Sequence, residues 1–262
     1  MIDGNLLRIV AAAGELKRED RVIEIGPGTG SLTEELLAVG CHVTAVEIDR
    51  NLADLLRRRL GHRPNFTLIE ADALDGKHAL NAELFGVIQN GAPMKLVANL
   101  PYQIASPLVI EMLIAGVDLL AFTVQKEVAH RLKAVENDDA YGPLSVMANL
   151  LADVEILRTM PPQAFWPAPK IESALVRMRR RDRLSGGAPE FTRFIHAVFS
   201  YRRKKIRKAM LEAAFSEDQI DRALSAVGVD PSFRPEQVSP RQWLDLFTSI
   251  NPASNSNTAS AL

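Results

Sequence analysis

Short apolar runs alternate with amphipathic stretches through the first two thirds of the chain. The runs are four to six residues long, the length of a buried strand, whereas the stretches carry apolar residues three and four positions apart, as one face of a helix does. This alternation is typical of βα units around a parallel sheet, and it predicts a seven-stranded, Rossmann-like α/β sheet. The predicted strands are residues 22–25, 43–47, 66–69, 95–98, 119–124, 155–160 and 174–178, and the helices between the earlier strands are residues 32–39, 52–60 and 108–115.

The last third of the chain has a helical pattern. The sequence SGGAP, from Ser185 to Pro189, is typical of a linker. Ser216 fits a helix N-cap and Gly228 fits a helix end. We therefore predict an α/β domain over residues 1–184, a small all-helical domain over residues 185–250 and a disordered tail over residues 251–262. The predicted C-terminal helices are residues 191–201, 206–214, 217–227 and 240–249, the second of which could continue the first, and residues 75–91 are predicted to be a loop-rich insertion.

The net charge of −1 conceals a strongly basic stretch. Residues 170–208 contain 13 Lys and Arg against three acids, a balance of +10, so the rest of the chain carries −11. Such a local excess indicates contact with a polyanion, although a solvated surface would look the same from charge alone.

Several classes of protein are excluded or disfavoured by composition. No apolar run approaches the roughly 20 residues of a membrane span, and the N-terminus has no secretory signal pattern. The single cysteine, Cys41, adjoins an apolar run and is predicted to be a packing residue. The five histidines lack metal-ligand spacing, so no metal site is predicted. A cytoplasmic protein is expected.

A glycine-rich turn follows the first predicted strand. Residues 22–30 read VIEIGPGTG, with Gly26, Gly28 and Gly30 at alternate positions and Glu24 just upstream. Dinucleotide-binding folds carry G-x-G-x-x-G instead, to place a pyrophosphate at the helix N-terminus. The spacing here favours S-adenosylmethionine, whose sulfonium and amino groups suit a nearby carboxylate, over NAD.

Acidic residues end the next two predicted strands. Glu47 lies about 20 residues beyond the glycine turn, where an acid accepts hydrogen bonds from ribose hydroxyls. Asp72 follows the third strand, where a carboxylate can accept the N6–H of a cofactor adenine. Because open α/β sheets bind ligands at the carboxyl ends of their strands, the three elements together predict a methyl-donor site.

The fourth predicted strand ends in the tetrapeptide NLPY, from Asn99 to Tyr102. The amino nitrogen of adenine is a poor nucleophile because its lone pair is delocalised into the ring. The Asn99 side-chain oxygen and the Leu100 carbonyl can accept hydrogen bonds from its two N–H groups. Pro101 stiffens the turn, and Tyr102 offers a ring on which an extruded base can stack. The tetrapeptide therefore predicts methyl transfer to an amino group, by positioning and polar preorganisation.

With these motifs the sequence resembles the KsgA-type rRNA adenine dimethyltransferases over almost its whole length. Beyond the glycine turn and NLPY, the resemblance is carried by four further stretches: QKEVAHRL at residues 125–132, YGPLSVM at 141–147, PPQAFWPAPKIESALV at 161–176 and FSYRRKKIR at 199–207.

The resemblance implies transfer of four methyl groups to two adjacent adenosines in the 3′-terminal hairpin loop of small-subunit rRNA, late in ribosome biogenesis. It implies a pre-30S particle as the partner, and nothing in the sequence demands more than a monomer. By carry-over, the donor would be held by Glu24, Gly26, Gly28, Glu47, Ile48, Asp72, Ala73 and Asn99, and the target base by Asn99, Leu100, Pro101, Tyr102 and Phe165.

A basic helix of the C-terminal domain is predicted to bind RNA. Between Phe194 and Met210 the apolar side chains fall roughly on one helical face. Four cations that fall mostly elsewhere are expected to be free for phosphates: Arg203, Lys204, Arg207 and Lys208.

The sequence departs from the family pattern at its N-terminus. The family begins with a Lys-rich segment and a Gly-Gln-x-Phe-Leu stretch that closes over the cofactor, whereas this sequence opens at Met1-Ile2-Asp3. We therefore expect these 262 residues to bind the donor more weakly than a chain carrying that stretch.

Three alternative functions stay open. They are a large-subunit rRNA adenine methyltransferase of the antibiotic-resistance type, a non-catalytic nucleic-acid-binding relative and, least favoured by the glycine spacing, an NAD oxidoreductase.

Overall fold

The computed structural model describes residues 4–76, 79–165, 171–181, 183–184 and 187–251. The chain packs as two compact units: unit 1 is Met1–His130 with Ala152–Arg181, and unit 2 is Arg131–Leu151 with Asp182–Leu262. Unit 2 thus adds Arg131–Leu151 to the C-terminal helices, whereas the sequence placed the domain boundary at residue 184 alone. The predictions for Met1–Asp3, for the first two linker residues and for the tail beyond Asn251 lie outside the described residues.

Unit 1 is built on a seven-stranded sheet, and each of the predicted strands is present. The strands are β1 Arg21–Ile25, β2 His42–Glu47, β3 Phe66–Glu70, β4 Met94–Asn99, β5 Leu119–Gln125, β6 Ala152–Met160 and β7 Ser173–Arg180. Their spatial order is β3-β2-β1-β4-β5-β7-β6. The side chains of β1, β4 and β5 are almost entirely buried, as expected for central strands covered on both faces.

The parallel sheet that the βα pattern favours is observed except at one strand. β7 runs antiparallel to both β5 and β6, while the other neighbouring strands are parallel. β6 and β7 are consecutive in the chain and adjacent in the sheet, and the described part of their connection holds only a short 3-10 turn, Pro162–Ala164. Without a crossover helix, the chain returns beside β6 in the opposite direction.

The helices of unit 1 include the three that the periodicity predicts and three that it does not. They are α1 Gly4–Ala13, α2 Ser31–Val39, α3 Arg50–Leu60, α4 Ala82–Ile88, α5 Ala105–Ile114 and α6 Lys126–Lys133, the last of which extends into unit 2. The prediction that residues 75–91 are a loop-rich insertion is wrong in part, because α4 lies within them. The Asn81 side chain caps this helix by accepting from two backbone N–H groups, and Leu84 and Ile88 are buried one turn apart. Seven residues are too few to show a helical period in the sequence.

Unit 2 is helical, as predicted. Its helices are α7 Pro143–Leu151, α8 Ala188–Phe199, α9 Ile206–Glu212, α10 Glu217–Val227 and α11 Pro240–Ile250. The predicted cap at Ser216 and the helix end at Gly228 are confirmed, the latter with φ of 72°. The core of this unit is aromatic: Trp243 is fully buried and its ring lies 5.9 Å from that of Phe194, edge to face.

Two predictions for unit 2 need correction. α8 begins at Ala188, so the last residues of the predicted linker form its first turn, where a proline is tolerated. α8 and α9 are separate helices, because α8 ends at Phe199 and Lys205 is extended, with ψ of 148°, just before α9. No single helix therefore spans 194–210.

Candidate active site

Four polar features meet at the carboxyl edge of the sheet in unit 1. The strand order places the ends of β3, β2, β1 and β4 side by side. The parallel register aligns Ile25 with Val46, and Glu47 with Glu70. Asp72 follows β3, Glu47 ends β2, Gly26 follows β1 and Asn99 ends β4. The glycine turn therefore lies between the two acids and the NLPY turn.

The glycine turn touches the NLPY turn. Gly26, Gly28 and Gly30 have φ of 67°, 58° and 88°, the left-handed region that side chains disfavour. A Cβ at Gly26 would lie 3.1 Å from Cγ of Pro101, so the backbone approaches that proline more closely than most residues would allow. The two motifs therefore lie next to each other at this edge of the sheet.

Glu47 is held by the backbone around it. The side chain is 5% exposed. Its Oε2 accepts a hydrogen bond from the Gly28 N–H at 3.2 Å, and its Oε1 accepts one from the Asp49 N–H at 3.0 Å. Each oxygen keeps a second lone pair, so the carboxylate supports the glycine turn and can still accept from a ligand.

Glu24 is a buried carboxyl just before the end of β1. It is 2% exposed, and its Oε2 has no hydrogen-bond partner among the described residues. Burial raises the pKa of Glu24 to about 8, against the lowering effect of the Thr33 hydroxyl, and the nearby Glu47 carboxylate raises it further. An unpaired buried carboxyl beside a glycine turn suits a cationic ligand group.

The residues after the two acids differ in exposure. Ile48 is 65% exposed at the end of β2, whereas Ala73 is buried. Asp72 is exposed, and its Oδ1 accepts from the Leu74 N–H at 3.0 Å, which fixes the local turn. This edge of the sheet thus presents an apolar surface at Ile48 and a carboxylate at Asp72.

The NLPY turn is held by two hydroxyls that the sequence reasoning missed. The Thr123 hydroxyl, on β5, donates a hydrogen bond to Oδ1 of Asn99. The hydroxyls of Tyr102 and Ser173 are 2.7 Å apart, with Ser173 at the start of β7. For Thr123 the available signal was a threonine inside an otherwise apolar strand, where a buried hydroxyl needs a partner.

Phe165 and Leu100 are not open to solvent. Phe165 is 5% exposed and belongs to an apolar cluster that includes Met160 and Leu175. The Leu100 side chain is also buried, which leaves its backbone carbonyl as the group able to act in the site. Residues 166–170, which follow Phe165 in the family-like stretch, lie outside the described residues.

The basic stretch is neutralised over much of its length. In unit 1, Arg177 pairs with Glu15 and Glu155, both at 2.8 Å, and Arg181 pairs with Asp153 at 2.6 Å. The excess positive charge of residues 170–208 is therefore smaller at the surface than the sequence count suggests.

Two of the four cations predicted to be free are paired with acids in the basic segment, which is residues 199–208 of unit 2. Lys204 pairs with Glu212, and Arg207 pairs with Asp221 at 2.8 Å and with Glu217 at 3.0 Å. Arg203 and Lys208 are exposed and make no ion pair within the described part of the chain. The acids lie on α9 and α10, which sequence periodicity cannot bring together with the cations.

The described residues hold no group of three His, Cys, Asp or Glu side chains able to bind a metal ion. Cys41 is fully buried, and burial raises the pKa of its thiol to about 11, in line with the predicted packing role. In the part of the chain that the structure describes, every helix is too short or too polar to cross a bilayer.

Known proteins resemble this chain in sequence along nearly its full length. A family model for ribosomal RNA adenine dimethylases matches residues 1–252. Ribosomal RNA small subunit methyltransferase A of Anaeromyxobacter dehalogenans is 41% identical over 235 residues, 87% of this chain and 82% of that one. The protein of the same name from Nostoc sp. is 36% identical over 249 residues, 92% of this chain and 91% of that one.

Solved structures resemble it in fold. A dimethyladenosine transferase from Plasmodium falciparum has a TM-score of 0.75 at 23% identity, covering 96% of this chain and 97% of that one. The 23S rRNA methyltransferase ErmE has a TM-score of 0.64 at 28% identity, covering 95% of this chain and 98% of that one.

Proposed function

Because the chain belongs to the ribosomal RNA adenine dimethylase family, we propose that it transfers methyl groups from S-adenosylmethionine to the N6 amino groups of two adjacent adenosines in the 3′-terminal hairpin loop of small-subunit rRNA. The substrate in the cell is a pre-30S particle, and the modification belongs to ribosome assembly. The observation that carries the proposal is the contact between the glycine turn and the NLPY turn at Pro101, which provides one crevice for donor and acceptor.

The donor half of the crevice fits S-adenosylmethionine. In this proposal the unpaired buried oxygen of Glu24 would accept from the ammonium group of the methionine part or lie against the sulfonium. Glu47 and Asp72 would accept from the ribose and from the adenine amine, while Ile48 and Ala73 would pack against the adenine ring. Bound there, the donor supplies an electrophilic methyl carbon.

The acceptor half is built to make an amine nucleophilic. In the first transfer, Asn99 Oδ1 and the Leu100 carbonyl accept hydrogen bonds from the two N6–H groups, which draws the nitrogen out of conjugation with the ring. In the second transfer, one N6–H remains to donate to this pair of acceptors. Tyr102, tied to Ser173, presents its ring to the extruded base, and Phe165 supports the wall of the site from its buried position. Once the methyl group is transferred, the nitrogen becomes acidic enough to release its proton to water. Catalysis rests on alignment and preorganised acceptors.

RNA is held in part by unit 2. Arg203 and Lys208 are exposed and unpaired within the described residues, so they bind phosphates directly. Lys204 and Arg207 are engaged by acids and contribute less. In this proposal the exposed cations position the RNA, and the NLPY turn selects the base.

A second candidate is methylation of large-subunit rRNA. The structural likeness to ErmE over 95% of the chain favours it. The two small-subunit methyltransferases described above are 36% and 41% identical to this chain, against 28% for ErmE, so the small subunit is the preferred substrate.

Methylation of defined particles tests the proposal. The purified chain is incubated with tritiated S-adenosylmethionine and either small subunits that lack the two dimethyladenosines or unmodified large-subunit rRNA, and the labelled nucleosides are separated. N6,N6-dimethyladenosine in the small-subunit RNA alone supports the proposal. Label in the large-subunit RNA alone transfers it to the second candidate, and a protein that binds the donor but labels neither RNA is not a methyltransferase of this kind.

A further inference from the structure

Thr123 is a polar residue at a position that packing alone would give to valine. It lies near the end of β5, where the residues from Leu119 to Val124 are otherwise apolar and all are buried. Its side chain is fully buried, with no exposed fraction. A buried hydroxyl without a partner is unfavourable, and valine has the same shape and a similar strand preference. The hydroxyl is therefore explained by what it binds.

Its partner is Asn99, the residue that ends β4. β4 and β5 are parallel neighbours, and the register pairs Asn99 directly with Thr123, so both side chains lie on the same face of the sheet. The Thr123 hydroxyl donates to Asn99 Oδ1. Branching at Cβ restricts χ1 of threonine, which makes this donor rigid, whereas the amide of an asparagine turns freely about χ2.

This contact distinguishes two orientations of the Asn99 amide. In the observed orientation Oδ1 uses one lone pair for Thr123 and keeps the other for an N–H of the target amine. If the amide turned over, its NH2 group would face the amine, which is itself a donor. The Thr123 oxygen could then accept from that NH2 group, but the buried O–H of Thr123 would lose the acceptor it has in the observed orientation. The flipped amide is therefore disfavoured by the two donors that face each other at the amine and by the unsatisfied O–H.

We propose that Thr123 is a positioning residue for methyl transfer, whose buried hydroxyl holds the Asn99 amide in the orientation that accepts from adenine N6. This inference rests on the proposed function. Thr123 acts through Asn99 and contacts neither the donor nor the base, so it governs the rate of the chemical step and leaves both binding equilibria unchanged.

The experiment is a single-turnover measurement on three variants. Thr123→Val removes the hydroxyl and keeps the shape, Thr123→Ser keeps the hydroxyl, and Ser145→Ala is the control. Ser145 is also a fully buried hydroxyl, donating to the Arg131 carbonyl at 2.6 Å in unit 2. We expect Thr123→Val to slow methyl transfer roughly tenfold, with the Kd of S-adenosylhomocysteine and of RNA unchanged, and the other two variants to remain within about twofold of the parent rate.

A double-mutant cycle separates this role from general stabilisation. In an Asn99→Ala background, Thr123→Val should cause no further loss of rate, because the group through which it acts is absent. Melting temperatures of all variants show whether Thr123→Val only unfolds the protein. A rate unchanged in Thr123→Val, a loss that persists in the Asn99→Ala background, or a loss equal in Thr123→Val and Ser145→Ala would each overturn the inference. Inactivity of the parent chain on every RNA would instead defeat the proposed function.

Discussion

The carboxyl edge of the sheet and the basic segment both gather polar groups, but they hold them in opposite ways. Among the described residues, the buried polar side chains of unit 1 all lie at that edge: Glu24, Thr33, Glu47, Thr123 and Ser173. Glu47 accepts from backbone N–H groups, and Thr123 and Ser173 bond side chains of the NLPY turn. Glu24 Oε2 and the Thr33 hydroxyl have no hydrogen-bond partner among the described residues. The cations of the basic segment are exposed or half-buried, and the paired ones are held by side chains of other helices.

Because the edge is buried and the basic segment is exposed, the two regions should respond differently to substitutions and to salt. Buried groups interact across a medium of low polarisability, so losing one partner leaves a large uncompensated cost that salt hardly alters. Exposed ion pairs contribute about 0–1 kcal/mol and are screened by salt. Substitutions at the edge should therefore alter catalysis or donor binding, while substitutions in the basic segment should alter the salt dependence of RNA binding.

The largest effect is expected for Asn99→Ala. Removing a preorganised polar group that acts on the reacting atom costs about 100- to 1,000-fold in rate. Single-turnover methylation of small subunits measures it, with Asn65→Ala as a matched control, because Asn65 bonds the Cys41 carbonyl at the opposite end of the sheet. If Asn99→Ala retained a tenth of the parent rate, the edge would not be the site of base recognition.

A smaller effect, about 10-fold, is expected on donor binding for Glu47→Gln. An amide can accept the Gly28 N–H or the Asp49 N–H but not both, so the glycine turn loses one support and the ribose one acceptor. Calorimetric titration with S-adenosylhomocysteine gives the Kd. Glu70→Gln is the control, since Glu70 is the registered neighbour of Glu47 and pairs instead with Arg57. Equal affinities in the two variants would contradict the role of Glu47.

The pH dependence of stability should report on Glu24. Its pKa is about 8 in the folded chain, above that of an ordinary carboxyl, so the folded state binds an extra proton between the ordinary value and pH 8. The free energy of unfolding should therefore fall as pH rises through that window, by an amount on the order of a few kcal/mol, and Glu24→Gln should remove this part of the fall. Urea unfolding at pH 5 and pH 8 checks it.

Burial also raises the pKa of Glu111, to about 7, and this residue contributes in the same direction. The difference between the parent chain and Glu24→Gln isolates Glu24, and Glu111→Gln should leave that difference unchanged. Parallel pH curves for the parent and Glu24→Gln would show that the Glu24 carboxyl is not perturbed.

The sequence allowed prediction of the edge because chain order and strand register constrain it. A turn after β1, an acid ending β2 and an amide ending β4 must share an edge once their strands are parallel neighbours. Short apolar runs located those strands to within three residues. The family resemblance then supplied the substrate, which spacing alone could not provide.

The contacts that the sequence did not reveal join residues far apart in the chain. Thr123 and Asn99 meet only because β4 and β5 pair in that register, and Arg207 meets Asp221 only through the packing of α9 and α10. Periodicity describes one element at a time, so it shows which face a residue occupies and not what lies opposite. The antiparallel β7 was missed for the same reason.

The smallest effects are expected in the basic segment, and they separate its free cations from its paired ones. Arg203→Ala with Lys208→Ala removes two phosphate contacts, so the slope of log K against log salt for RNA binding should flatten by about two. Lys204→Ala with Arg207→Ala changes the net charge equally but removes groups already engaged by Glu212 and Asp221, and the slope should change by less than one. Fluorescence titration of a small-subunit RNA fragment over a range of salt gives both slopes. If the salt slope flattened equally in the two double variants, RNA would displace Glu212 and Asp221 from their cations. The contrast between a buried edge and a salt-screened basic segment would then hold only in the absence of substrate.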